Sequence, residues 1–218
     1  MGAPTIDEIT VADDADRWAA LGFTVRDRAC DIGSVRVAFA SPDAGRGILG
    51  WSLRGLPSTD LDGLSTRLST APERGAAPVH PNGVVSIDHV VAMSPCFTRS
   101  VEALERAGLD LRRVRDEPTP AGAPRQAFFR LGAEILELVQ EPEEIVARAG
   151  GFDRPARFWG LAFLVEDLER TVDILDEHGG EIRDAVQQGR RIATIRRSAG
   201  LAVAVALISR DERVEVLG

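Results

Sequence analysis

The run Val84-Val85-Ser86-Ile87-Asp88-His89-Val90-Val91-Ala92-Met93 constrains this chain most, because its pattern is repeated twice elsewhere. It reads as a buried strand, rich in β-branched residues, with one histidine among apolar neighbours. About 48 residues later a second apolar run, Ile135-Leu136-Glu137-Leu138-Val139, carries a single carboxylate. A lone ionised carboxylate in an apolar strand is costly unless it is paired, hydrogen-bonded or bound to a cation. His89 and Glu137 are therefore the residues whose presence most needs a cause.

Around these two strands the middle of the chain reads β-α-β-β-β. Phe97, Val101, Leu104 and Ala107 recur at helical spacing, Gly108 stops the helix, and 109–114, 126–131 and 135–139 read as strands. The same order appears at the start: a strand at 6–11, a helix with Trp18 and Leu21 stopped by Gly22, then strands at 23–26, 35–39 and 48–53. A third copy opens at Phe158 to Val165 and continues with a helix capped by Asp167 and stopped at Gly179-Gly180. It closes with strands at 191–196 and 201–208. The expected fold class is α+β, with three repeated β-α-β-β-β modules at 1–55, 84–140 and 158–218 paired into a curved mixed sheet with helices outside. A linker at 56–83, rich in Gly, Pro, Ser and Thr, and a connection at 141–157 join them.

Laid over one another, Ile6 to Val11 matches Ile87 to Ala92, so Glu8 stands where His89 stands, and the third copy has Leu161 there. In the last strand Glu137 corresponds to Gly50 in the first copy and to Ala206 in the third. A repeated β-α-β-β-β unit with His in its first strand and Glu in its fourth resembles the vicinal oxygen chelate superfamily of glyoxalase, bleomycin resistance protein and extradiol dioxygenase. That resemblance implies two paired modules around a cleft, with a divalent metal (Fe, Mn, Ni or Zn) on ligands from first and fourth strands. It makes His89 and Glu137 expected metal ligands, and Glu8 a third if its module shares the cleft; Glu137 is also the expected proton-transferring base. Leu161 and Ala206 depart from the pattern, as does a count of three modules.

Two arrangements are open. If the second and third modules pair, the cleft keeps only His89 and Glu137, and catalytic metals usually hold at least three protein ligands. If the first and second pair, Glu8 joins them in a one-histidine, two-carboxylate set. Three functional readings follow from the resemblance: a metal-dependent lyase, isomerase or dioxygenase on a small oxygen-rich substrate, a metal-free small-molecule-binding protein, or a degenerate module serving in assembly.

The remaining polar residues are read as structural unless paired. Strand alternation sends Asp88 to the face opposite His89, and separates Arg112 from Arg113 and Arg115. Arg113, Arg115 and Arg190 are the expected substrate-binding residues, able to clamp a carboxylate or phosphate. Their weight is reduced because all 26 basic residues are arginine. Glu137 bonded to Arg125 or Arg130 is the structural alternative to a ligand role. His80 reads as a solvated loop histidine, with a place at the cleft mouth as the alternative, and His178 as a helix-end cation. A net charge of −8 argues against nucleic-acid and acidic-membrane binding. Cys30 and Cys96 match no metal or redox spacing, and no leader or membrane span is legible, which suggests a cytoplasmic protein. An unpaired third module would leave an open edge or apolar face, favouring a homodimer.

Overall fold

The computed structural model of the chain describes residues 3–119 and 122–211. The first segment contains β1 (Thr5–Ala12), α1 (Ala15–Ala20), β2 (Ala29–Ile32) and β3 (Val35–Ala40), followed by β4 (Gly47–Arg54) and β5 (Thr66–Leu68). The second contains β6 (Val84–Ser94), α2 (Phe97–Arg106), β7 (Asp110–Arg115), β8 (Gln126–Leu131) and β9 (Glu134–Gln140). A short α3 (Glu143–Arg148) leads to β10 (Arg157–Val165), α4 (Leu168–Leu175), β11 (Arg183–Asp184), β12 (Arg191–Thr194) and β13 (Ala204–Ile208).

These elements form two mixed sheets. One has the order β2-β3-β1-β4-β5, and the other β11-β12-β13-β10-β6-β9-β8-β7. In the larger sheet the first strand of each module lies parallel to its last, β6 to β9 and β10 to β13. The two modules join through antiparallel β6 and β10. Of the two arrangements left open, this is the pairing of the second and third modules. The five-stranded sheet holds β1, so Glu8 lies in a different sheet from His89 and Glu137.

The first segment departs from the expected strand roles. β1 runs parallel to β3, not to β4, and β4 is antiparallel to β1 as β10 is to β6. The closing strand of the first module is thus β3, which places Ala38 rather than Gly50 in register with Thr10 on that side. β4 and its parallel partner β5 have the relation of a first and a last strand, shortened to little else. The strand expected at 23–26 forms instead at Ala29–Ile32, because Asp27 and Arg28 take left-handed conformations (φ 48° and 56°) that turn the chain between them. The third module is not unpaired, since β10 lies against β6.

Helix ends follow their sequence signals. The Asp14 carboxylate accepts from Asp16 N at 3.0 Å and that of Asp167 from Arg170 N at 2.9 Å. The chain leaves the turn after α2 through Gly108 at φ 95°, as a helix-stopping glycine should. α4 ends at Leu175, short of Gly179, in a 3₁₀ turn at Asp176–His178.

One continuous apolar core joins both sheets and the inner faces of α1, α2 and α4. At its centre Phe163 of β10 meets Trp18 (centroids 6.0 Å apart) and Phe23 (5.5 Å), and Trp51 of β4 meets Phe158 of β10 (5.1 Å). The 56–83 segment is also packed down. Leu61 and Leu64 are buried, and Asp62 accepts from Arg99 at 2.8 Å and from Ser100. His80 is buried rather than solvated: its Nδ1 accepts from Thr24 N at 3.0 Å and its Nε2 faces the Asp31 carbonyl at 3.1 Å. Burial, only partly opposed by Asp31, lowers its pKa below 6.5.

Candidate functional site

The larger sheet curves around a cleft of about 1210 Å³. Its walls come from opposite edges: Arg113 and Arg115 on β7 face Val186 to Gln188, the loop between β11 and β12. Phe128, Ile135 and Leu164 supply the apolar floor.

Beside this floor His89 and Glu137 meet. His89 Nε2 lies 3.2 Å from Glu137 Oε2, and the other Glu137 oxygen accepts from the Gln126 amide. Gln126, not Arg125 or Arg130, is therefore the structural partner of Glu137; Arg125 donates to Asp116 at 2.5 Å and covers the Phe97 ring.

Asp88 is on the same side as His89, against the expectation from alternation. The β6–β10 register slips between His89 and Ile87, so Asp88 is the extra residue of a β-bulge. Its carboxylate accepts from His89 Nδ1 at 2.8 Å and from Arg190 at 2.6 Å. Burial pushes the Asp88 pKa up, but these two donors outweigh it and hold the carboxyl below its ordinary value. A second bulge, at Arg112 in the β7–β8 register, likewise brings Arg112 to the cleft beside Arg113 and Arg115. Arg190 reaches the cleft already committed: besides Asp88 it donates to the Ser209 carbonyl and the Gln187 side chain, each at 2.8 Å. Glu8 has Arg67 at 3.8 Å as its neighbour, and His178 Nδ1 faces Ser198 Oγ at 3.2 Å.

Among the described residues, β10 and β13 bring no His, Cys, Asp or Glu to the cleft side. Leu161, Phe163 and Val165 belong to the core, so the face of β10 shared with Leu164 presents Gly160 and Ala162. Gly160, not Leu161, takes the place of His89 in the third module: Glu137 pairs with Val91 and Ala206 with Ala162, each two residues beyond those positions, while Ala162 itself lies across from His89. On β13, Val205 and Leu207 likewise point to the core and leave Ala206 on the cleft side.

Residues 86–191 match the model of the Glyoxalase/Bleomycin resistance protein/Dioxygenase superfamily. A mutant of 4-hydroxymandelate synthase from Streptomyces coelicolor has a TM-score of 0.64 at 15% identity, over 94% of this chain and 92% of that one. A xylose isomerase-like TIM barrel/4-hydroxyphenylpyruvate dioxygenase fusion protein gives 0.59 at 14% identity, over 94% of this chain and 48% of that one. Methylmalonyl-CoA epimerase from Mycobacterium tuberculosis gives 0.52 at 18% identity, over 64% and 97%. No curated protein matches the sequence. The chain shares the fold of these structures, and its 86–191 segment is similar in sequence to the glyoxalase/bleomycin resistance protein/dioxygenase superfamily.

Members of that superfamily commonly use a divalent metal. The side chains of this cleft fit such an ion poorly. Asp88 holds His89 as a carboxylate holds many metal-binding imidazoles, with Nε2 left to face Glu137. Beyond that pair the metal donors stop, since on β10 and β13 Gly160 and Ala206 stand where His89 and Glu137 stand on β6 and β9. Among the described residues no three His, Cys, Asp or Glu side chains are grouped to hold an ion.

Proposed function

We propose that the 84–208 half is a small-molecule-binding cleft of the bleomycin-resistance kind, holding its ligand by shape and side-chain contact and not by chelation. The observation that carries this reading is that Gly160 and Ala206 occupy on β10 and β13 the places of His89 and Glu137 on β6 and β9, so the His89–Glu137 pair gains no ligand from the third module. Two protein donors are fewer than catalytic metal sites usually hold. An apolar floor with a few convergent polar groups is what a small-molecule site needs. The metal-dependent lyase, isomerase or dioxygenase reading rests on the His89–Glu137 pair alone. The five-stranded sheet then serves as a buttress, its core continuous with that of the binding half.

A thermal-shift screen of aromatic and aliphatic small molecules, run beside a Leu164→Trp variant, tests the proposal. Hits on the wild type that are lost when the indole fills the floor support it. Hits that survive in Leu164→Trp place the ligand elsewhere and contradict it.

A further inference from the structure

The cleft wall has an electrostatic character that the rest of the molecule lacks. The chain carries a net charge of −8, yet arginines crowd this wall and its acidic residues are only Glu117 and Asp211. Some of the arginines are spent internally: Arg190 on Asp88, and Arg112 on Asp110 at 3.1 Å. Others are not. Among the described residues Arg113 makes no ion pair or side-chain hydrogen bond. Arg115 has Glu117 only at 3.6 Å, and its Nε is buried with no hydrogen-bond partner. A buried guanidinium donor without an acceptor is costly, and an arriving oxyanion would relieve that cost. Arg113 and Arg115 are alternate residues on one face of β7, so their planar forks reach toward one place.

We propose that the cleft takes an organic anion: a carboxylate or phosphate group held by Arg113 and Arg115, with an apolar body lying on Phe128, Ile135 and Leu164. This rests on the reading of the cleft as a ligand site and adds the ligand's charge and orientation. The aromatic and aliphatic floor lies next to the arginine wall, so a molecule with charge at one end only satisfies both. Arg190 keeps its bond to Asp88 and positions the His89 ring; the anion is not shared with it.

The test uses four probes of one shape, benzoate, phenyl phosphate, benzyl alcohol and benzylamine, titrated calorimetrically into the whole protein. Inorganic phosphate is added as a fifth probe without an apolar body. Benzoate or phenyl phosphate is expected to bind better than the alcohol and the amine, and which of the two is tighter tells carboxylate from phosphate. Arg113→Gln, an exposed position that should not disturb folding, is expected to weaken the anion by about tenfold or more. Arg106→Gln, on the outer face of α2, should leave it unchanged. If benzyl alcohol binds as well as benzoate and Arg113→Gln has no effect, the anion proposal is overturned while the cleft reading stands. If no probe binds, the cleft reading falls with it.

Discussion

Phe163→Ala should expose how far the binding half depends on the five-stranded sheet behind it. The ring is fully buried and touches Trp18 of α1 and Phe23 of the loop after it, while its backbone pairs with Leu207. Removing a buried phenylalanine side chain costs about 3–5 kcal/mol, the upper end where the walls cannot close in. Here two of the walls are aromatic rings of α1 and the loop after it, and the whole of that range applies. For a chain of this size each kcal/mol shifts the midpoint by roughly 2–4 °C, giving a fall of about 6–20 °C. Thermal and urea unfolding followed by tryptophan fluorescence and by far-ultraviolet circular dichroism would read it. Trp18 and Trp51 report from the 5–68 half and the half-exposed Trp159 from β10, whereas the dichroism reports from every strand. A single transition that moves by the same amount in both signals is expected. A loss below about 1 kcal/mol, or two transitions of which only one moves, would refute the idea of one shared core.

Two further outcomes follow from buried titratable groups. Burial, aided by the neighbouring Asp31, pushes the Cys30 thiol up to about 12, whereas Cys96 is only half-buried. A thiol reagent at neutral pH should therefore label Cys96 alone in the native protein, and both residues after unfolding, as mass spectrometry would show. His80 has its folded pKa depressed below 6.5, so the unfolded chain binds a proton that the folded chain resists. The stability this residue contributes is complete above about pH 6.5 and is lost as pH falls from there toward the depressed folded value. His80→Asn should unfold with a shallower pH dependence across that window, and an unchanged slope in urea titrations would contradict the buried placement.

Much of the binding half was legible in the residues. Its apolar runs, helical spacing and helix stops gave β6 to β10, β12 and β13 nearly in place but not the short β11, and the isolated His89 and Glu137 do meet. What was not legible depends on neighbours distant in the chain. The apolar run around Ile48 announces a strand but not its partner or direction, so the closing role of β3 and the antiparallel β4 could not be read. Bulges at Asp88 and Arg112 insert one residue into a strand and undo the alternation that assigned those side chains to the wrong face. His80 looks like a loop residue because its partners, Thr24 and Asp31, come from the first module. Leu161 for Gly160 was a slip of one residue in a strand whose two faces are both apolar, where composition cannot fix register.

The central claim is that the cleft has too few donors for a resident catalytic metal. Its most direct test is equilibrium metal binding by the untagged protein, stripped with a chelator and reloaded with Fe(II), Mn(II), Ni(II) or Zn(II), beside His89→Ala and Glu137→Ala. The account predicts no stoichiometric tight binding, and no difference between wild type and variants. One tightly bound ion per chain, lost in both variants, would contradict it and restore the metal-dependent reading.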